Sequence, residues 1–109
     1  MRVAVVRCEI VSEVCPGVGC FNSFNRRKAF FEDYDDDTEM IGFFTCGGCP
    51  GRRVMRLVNS LKKRNIDVIH IGSCMLMGEE EGYLDCPHVD SIRDGIKRKG
   101  VKVVDGTHH

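Results

Sequence analysis

Four short apolar runs, rich in β-branched residues, recur along this sequence and are separated by stretches of a different periodicity. Each run has the length of a β-strand and ends close to a cysteine or a glycine. Runs without polar alternation are typical of strands buried on both faces, as the strands of a parallel sheet are. The predicted strands are 2–7, 40–44, 68–71 and 101–104.

Helical spacing replaces the strand pattern between these runs. After the second run, apolar residues at i, i+3, i+4 and i+7 predict an amphipathic helix; they are Val54, Leu57, Val58 and Leu61. Pro50 suits the first turn of that helix and Asn65 suits its end. Two further helices are predicted from similarly spaced residues, namely Phe21, Phe24, Lys28 and Phe31 before the second run and Val89, Ile92 and Ile96 before the fourth.

The predicted elements alternate as β-α-β-α-β-α-β, which favours a parallel sheet with right-handed crossovers. A chain of 109 residues has the length of one domain. We therefore predict a single α/β domain over residues 1–109. It should be a three-layer α/β/α sandwich, flavodoxin-like or Rossmann-like, with a four-stranded parallel sheet in the order 2-1-3-4.

Charge and hydropathy exclude several classes of function. The chain has 16 basic and 16 acidic residues and no net charge, so nothing general attracts it to nucleic acid or to an anionic membrane. Its apolar runs are far shorter than the ~20 residues of a membrane-spanning helix. The start, M-R-V-A-V-V-R-C-E, lacks a signal peptide pattern. We expect a cytoplasmic protein that binds neither nucleic acid nor membrane.

The seven cysteines are the unusual feature of the composition. In a reducing compartment, cysteines are more often ligands or reactive thiols than disulfides. Three predicted strands lead into Cys8, Cys46 and Cys74, and the fourth leads towards His108 and His109. The carboxyl ends of parallel strands share one edge, with neighbouring strands ~4.8 Å apart. These side chains are therefore predicted to share a site at that edge.

The motif T-C-G-G-C-P-G-R occupies residues 45–52, at a predicted strand-to-helix junction. Its spacing lets the sulfurs of Cys46 and Cys49 face one ion or reach each other. The positive end of the following helix would favour thiolates. Cys86 after the third strand, and Cys15 and Cys20 after the first, lie on loops that should overhang the same edge.

Together these residues resemble the CGGC-domain family of small prokaryotic proteins. The resemblance covers nearly the whole chain and rests on Cys8, the 46–49 core with Pro50 and Gly51, Cys74, Cys86-Pro87 and Gly106-Thr107-His108. Cysteines and histidines of that family are regarded as zinc-binding. The resemblance therefore implies a metal site, but it implies no reaction.

Metal binding is the leading hypothesis. A tetrahedral zinc ion takes about four sulfur or imidazole ligands. Cys46, Cys49 and Cys74 are the first candidates, and Cys8, Cys86 or His108 would complete the set. Since thiols are in surplus, an iron–sulfur cluster is the alternative cofactor.

Two other hypotheses use the same motif. Cys46 and Cys49 could form a thiol–disulfide redox pair, although the carboxyl end lacks the antiparallel hairpin of a thioredoxin-like fold. Cys46 and Arg52 also have the C-x₅-R spacing of a cysteine-dependent phosphatase loop. Pro50 would weaken such a loop because it has no N–H to donate to a phosphate.

Overall fold

Four parallel strands form one sheet in the computed structural model, which describes residues 1–76 and 85–108. Their spatial order is β2-β1-β3-β4, and all three pairings are parallel. The predicted fold class and strand order are therefore confirmed. The strands are β1 (Arg2–Arg7), β2 (Glu39–Thr45), β3 (Val68–Ile71) and β4 (Lys102–Asp105).

Helices occupy the connections between the strands. They are α1 (Glu9–Ser12), α2 (Val18–Asn25), α3 (Val54–Lys62), α4 (Ser73–Leu76) and α5 (Val89–Arg98), with a 3-10 turn at Ala29–Phe31. The spacing of apolar residues located α3 and α5. Within residues 1–76 and 85–108, no helix is both long and apolar enough to cross a bilayer.

The predicted first helix is interrupted, which corrects the sequence-based expectation. Arg27 and Ala29 have φ of 51° and 52°, and a right-handed helix cannot continue through such residues. The α-helix therefore ends at Asn25, and Phe31 belongs to the separate 3-10 turn. Pro50 likewise lies outside α3, because Gly51 has φ of 94° and the helix begins only at Val54.

Alternate residues of the strands enter two separate cores, one on each face of the sheet. Helices α3, α4 and α5 cover one face, where the buried residues include Ala4, Val6, Val58, Ile69, Ile71, Met75, Ile92 and Ile96. Helix α2 and the 3-10 turn cover the other face, where the core is Val3, Val5, Phe24, Phe31 and Val68. The two-residue period of a strand explains this division, and the domain has the predicted three layers.

Strand register brings the carboxyl ends of the strands to one edge. Arg7 pairs with Thr45 across β1 and β2, while Val6 pairs with Ile71 across β1 and β3. The amide of Cys46 continues the ladder by donating to the Arg7 carbonyl at 2.9 Å. The residues that follow the strand ends therefore lie along the same edge. They include Cys8, Cys46, Cys74 and His108; His109 lies outside the described residues.

Candidate functional site

Four cysteines line one cavity of about 240 Å³ at this edge. Cys8 follows β1, Cys46 and Cys49 belong to the loop after β2, and Cys86 lies just before α5. The described remainder of the lining is mostly apolar and consists of Ile10, Met75, Asp85 and Pro87. Four of the six ligands predicted from sequence are therefore brought together.

The C-G-G-C loop turns back on itself through two glycines. Gly47 and Gly48 have φ of 79° and 93°, in the left-handed region that favours glycine. The Gly51 amide closes the turn by donating to the Gly48 carbonyl at 2.7 Å, and the Arg53 amide donates to the Cys46 carbonyl at 3.4 Å. The peptide bond between Cys49 and Pro50 is cis. Both cysteines of the loop line the cavity.

The two thiols of the loop differ in their access to solvent. Cys46 is only 5% exposed, whereas Cys49 is exposed. Across the cavity, burial raises the pKa of the Cys86 thiol, and the neighbouring Cys46, Cys49 and Cys8 raise that pKa further. Each additional thiolate in this cavity would repel the others, so a bound cation would be needed to hold several of them deprotonated.

Cys74 is not among the described residues that line this cavity. Burial raises its pKa to about 11, and the thiols of Cys8, Cys20 and Cys15 add to the shift, whereas the Cys8 backbone N–H opposes it. Cys8 influences both Cys74 and Cys86. Cys8 therefore lines the four-cysteine cavity and also reaches Cys74 through its backbone N–H.

The G-T-H segment holds α4 and α2 together. The Thr107 amide donates to Ser73 Oγ at 2.9 Å, and the Ser73 amide donates to Thr107 Oγ1 at 3.3 Å. Cys20 Sγ also donates to Thr107 Oγ1 at 3.3 Å. The His108 ring lies against α2, since a Cβ added to Gly19 would be 3.1 Å from its Cδ2. His108 is thus placed on the side of the edge occupied by Cys20.

The cysteines of the cavity suit a metal by their donor chemistry, but not yet by their geometry. Thiolates are the ligands that zinc and iron–sulfur clusters prefer, and the cavity offers four thiols that could supply them. In the part of the chain that the structure describes, however, no three Cys, His, Asp or Glu side chains are already grouped to hold an ion. The donor set fits, but its side chains would have to turn towards a common centre.

The loop is poorly arranged to cradle a phosphate. The amides of Gly51 and Arg53 are used within the loop, as described above, and Pro50 has none to give. Arg52 Nε donates to the Gly47 carbonyl at 3.1 Å, so this N–H is used within the loop and is not offered to a phosphate. These contacts weigh against the phosphatase-like hypothesis.

Sequence reasoning missed a polar contact that ties the loop to α1. The Thr45 hydroxyl donates to the Glu9 carboxylate and accepts from Arg53 Nη1 at 3.2 Å, and the same arginine lies 3.9 Å from Glu9. No local sequence signal could reveal the contact, because Glu9 and Thr45 are 36 positions apart. Only the pairing of β1 with β2 brings them together.

Comparison with known proteins agrees with the cysteine pattern. A family model described as the CGGC domain matches residues 2–108. One uncharacterized protein of Methanocaldococcus jannaschii is 37% identical over 114 residues, covering 99% of this chain and 87% of that protein. A second from the same organism is 32% identical over 69 residues, covering 62% of this chain and 98% of that protein. No solved structure matches the chain.

Proposed function

The chain belongs to the CGGC-domain family, and on that premise we propose that it binds a metal ion through cysteine thiolates at the carboxyl edge of its sheet. The observation that carries the proposal is the cavity lined by four cysteines. Zinc is the proposed ion, because four thiolates satisfy its tetrahedral preference. An iron–sulfur cluster is the alternative, since it uses the same ligands.

The proposed ligands are Cys8, Cys46, Cys49 and Cys86, which line the cavity. They come from three separate connections, so closing on one ion would fix the loops relative to one another. The raised pKa of Cys86 means that metal binding should release protons near neutral pH. Cys74 and His108 remain candidates from their positions in the sequence, and we rank them lower because neither is among the described residues lining the cavity.

Metal content of variants purified without air tests the proposal. We expect about one zinc per chain by elemental analysis, or iron with sulfide and a visible absorption band. Cys46→Ser and Cys49→Ser should each lose most of the bound metal. Cys15→Ser is the control, because it removes a thiol of intermediate exposure that is not among the described residues lining the cavity. Metal retained in Cys46→Ser and lost in Cys15→Ser would contradict this ligand set.

A second candidate function is thiol–disulfide exchange by Cys46 and Cys49. It is favoured by their unequal exposure. The exposed Cys49 thiolate would attack a substrate disulfide, and Cys46 would resolve the mixed disulfide, so that the substrate gains two electrons and the pair becomes oxidised. A chelator-insensitive protein whose Cys46–Cys49 disulfide forms reversibly in a glutathione titration would support exchange over metal binding.

The free thiols and the net charge indicate a cellular location and the classes of partner. All seven cysteines are free thiols, which suits a reducing compartment, so we propose a cytoplasmic location. The absence of net charge provides no general attraction to nucleic acid. Fractionation of the native host, with the protein followed by antibody, would test the location.

A further inference from the structure

A second cavity, of about 340 Å³, lies at the start of α3, and the described residues that line it are Arg52, Arg53 and Arg56. This volume has room for on the order of ten water molecules. The three guanidinium groups give it a strongly positive lining, although the whole chain has no net charge. The metal proposal does not use this cavity.

Among the described residues, two of these arginines have no carboxylate partner. Within residues 1–76 and 85–108, no carboxylate forms an ion pair with Arg52 or Arg56. Arg53 is partly compensated by Glu9 at 3.9 Å. The Arg52 side chain is exposed and donates from Nε to the Gly47 carbonyl, a neutral acceptor that leaves its charge uncompensated. Like charges gathered in this way repel one another unless an anion lies between them.

The chemistry of the lining identifies the kind of ligand. Guanidinium groups offer forked pairs of N–H donors that match the oxygens of phosphate and carboxylate groups. The positive end of α3, a helix that spans Val54–Lys62, adds to the attraction for negative charge. We propose that this cavity binds the oxyanion group, phosphate or carboxylate, of a small anionic ligand.

The arginine-lined cavity lies beside the loop that carries the C-G-G-C cysteines. The C-G-G-C loop borders both cavities, because Arg52 contacts the Gly47 carbonyl while Cys46 and Cys49 line the other cavity. An anionic group bound by the arginines would therefore hold the rest of its ligand near the thiols. This inference stands whether those thiols bind metal or exchange disulfides.

Titration with inorganic phosphate, and separately with succinate, tests the inference. Backbone amide chemical shifts of the intact protein are followed at constant ionic strength, which is balanced with sodium chloride. We expect saturable shifts confined to residues 47–56 with at least one of the two anions, and the anion that binds identifies the oxyanion. Arg56→Gln should weaken that binding about tenfold, as expected for a lost hydrogen bond to a charged group. Arg52→Gln combined with Arg56→Gln should remove the saturable response.

The matched control is Lys62→Gln combined with Lys63→Gln, which removes two positive charges at the other end of α3. It should bind as the unmodified protein does. The Arg56→Gln variant is expected to fold normally, because the described residues give the Arg56 side chain no hydrogen bond or ion pair to lose. The melting temperature of this variant should stay unchanged. Equal weakening in the lysine control, or no saturable response to either anion, would overturn the proposal. The proposal would also be overturned if Cys49→Ser lost both its metal and its anion binding, because the anion would then be a ligand of the metal.

Discussion

His70 is fully buried within β3, and both of its ring nitrogens are hydrogen-bonded. Nδ1 lies 2.9 Å from the Gly106 carbonyl, which can only accept, so Nδ1 carries the proton. Nε2 is then an acceptor for the Tyr34 hydroxyl at 2.7 Å. The ring packs on Phe31, with 4.4 Å between centroids. His70 is therefore a neutral core residue, as its mid-strand position predicts, and it is not proposed as a ligand.

The burial of His70 predicts a loss of stability in acid. Burial lowers its pKa from the ordinary 6.5, against a smaller opposing effect of the Gly106 carbonyl. The unfolded chain therefore binds a proton at a pH where the folded protein does not. The contribution of neutral His70 to the free energy of unfolding is complete above about pH 6.5, and it is lost as the pH falls towards the folded-state pKa. The free energy of unfolding, measured in urea between about pH 7 and about pH 5, should fall more steeply than in His70→Gln. Equal slopes would show that His70 is not responsible.

The loop between β2 and α3 is the element on which the proposed site depends most. Its two glycines allow the turn, but their surroundings differ. A Cβ at Gly47 would lie 2.5 Å from Arg53 Nε, whereas a Cβ at Gly48 would meet nothing within 4 Å. Any side chain at Gly47 must therefore displace Arg53 from its contacts with Thr45 and Glu9.

Alanine at these two positions separates backbone strain from displacement of Arg53. Both variants should lose about 1–2 kcal/mol of stability, because alanine is strained at positive φ. Gly47→Ala should lose about 1 kcal/mol more through the broken polar contacts, and it should bind less metal than Gly48→Ala. Urea unfolding and metal content of the two variants provide the comparison. Identical losses in both would mean that the contact with Arg53 does not position the loop.

The whole molecule has two apolar cores built mainly of aliphatic and aromatic side chains, with Cys46 among the buried residues of one of them. A domain of this size can be stable without a metal or disulfides. Metal binding is therefore expected to stabilise a chain that is already folded, in contrast to small zinc domains that unfold when the ion is removed.

Removal of the metal should lower the melting temperature without unfolding the protein. At a free metal concentration about 100 times the dissociation constant, binding contributes about 2.7 kcal/mol, so chelation should lower the melting temperature by about 10 °C. Circular dichroism before and after chelation measures both the helix content and the transition. Loss of helix signal at 25 °C would show instead that the metal is required for folding.

Strand and helix positions could be largely predicted from sequence because they follow from local periodicity. The runs at 2–7 and 68–71 match β1 and β3, and the spacing around Val58 and Ile92 located α3 and α5. The first helix was predicted too long, since the interruption at Arg27 and Ala29 depends on a backbone conformation that non-glycine residues rarely adopt.

The sequence by itself determined that thiols gather at one edge, because the strands are parallel and three of them lead into cysteines. Only the tertiary structure decided how those thiols are divided. Cys46, Cys49 and Cys86 share one cavity with Cys8, whereas Cys74 is not among the described residues that line it. The physical reason is that strand order fixes the edge on which a residue lies. The direction of its side chain there depends on loop turns and packing between residues far apart in sequence.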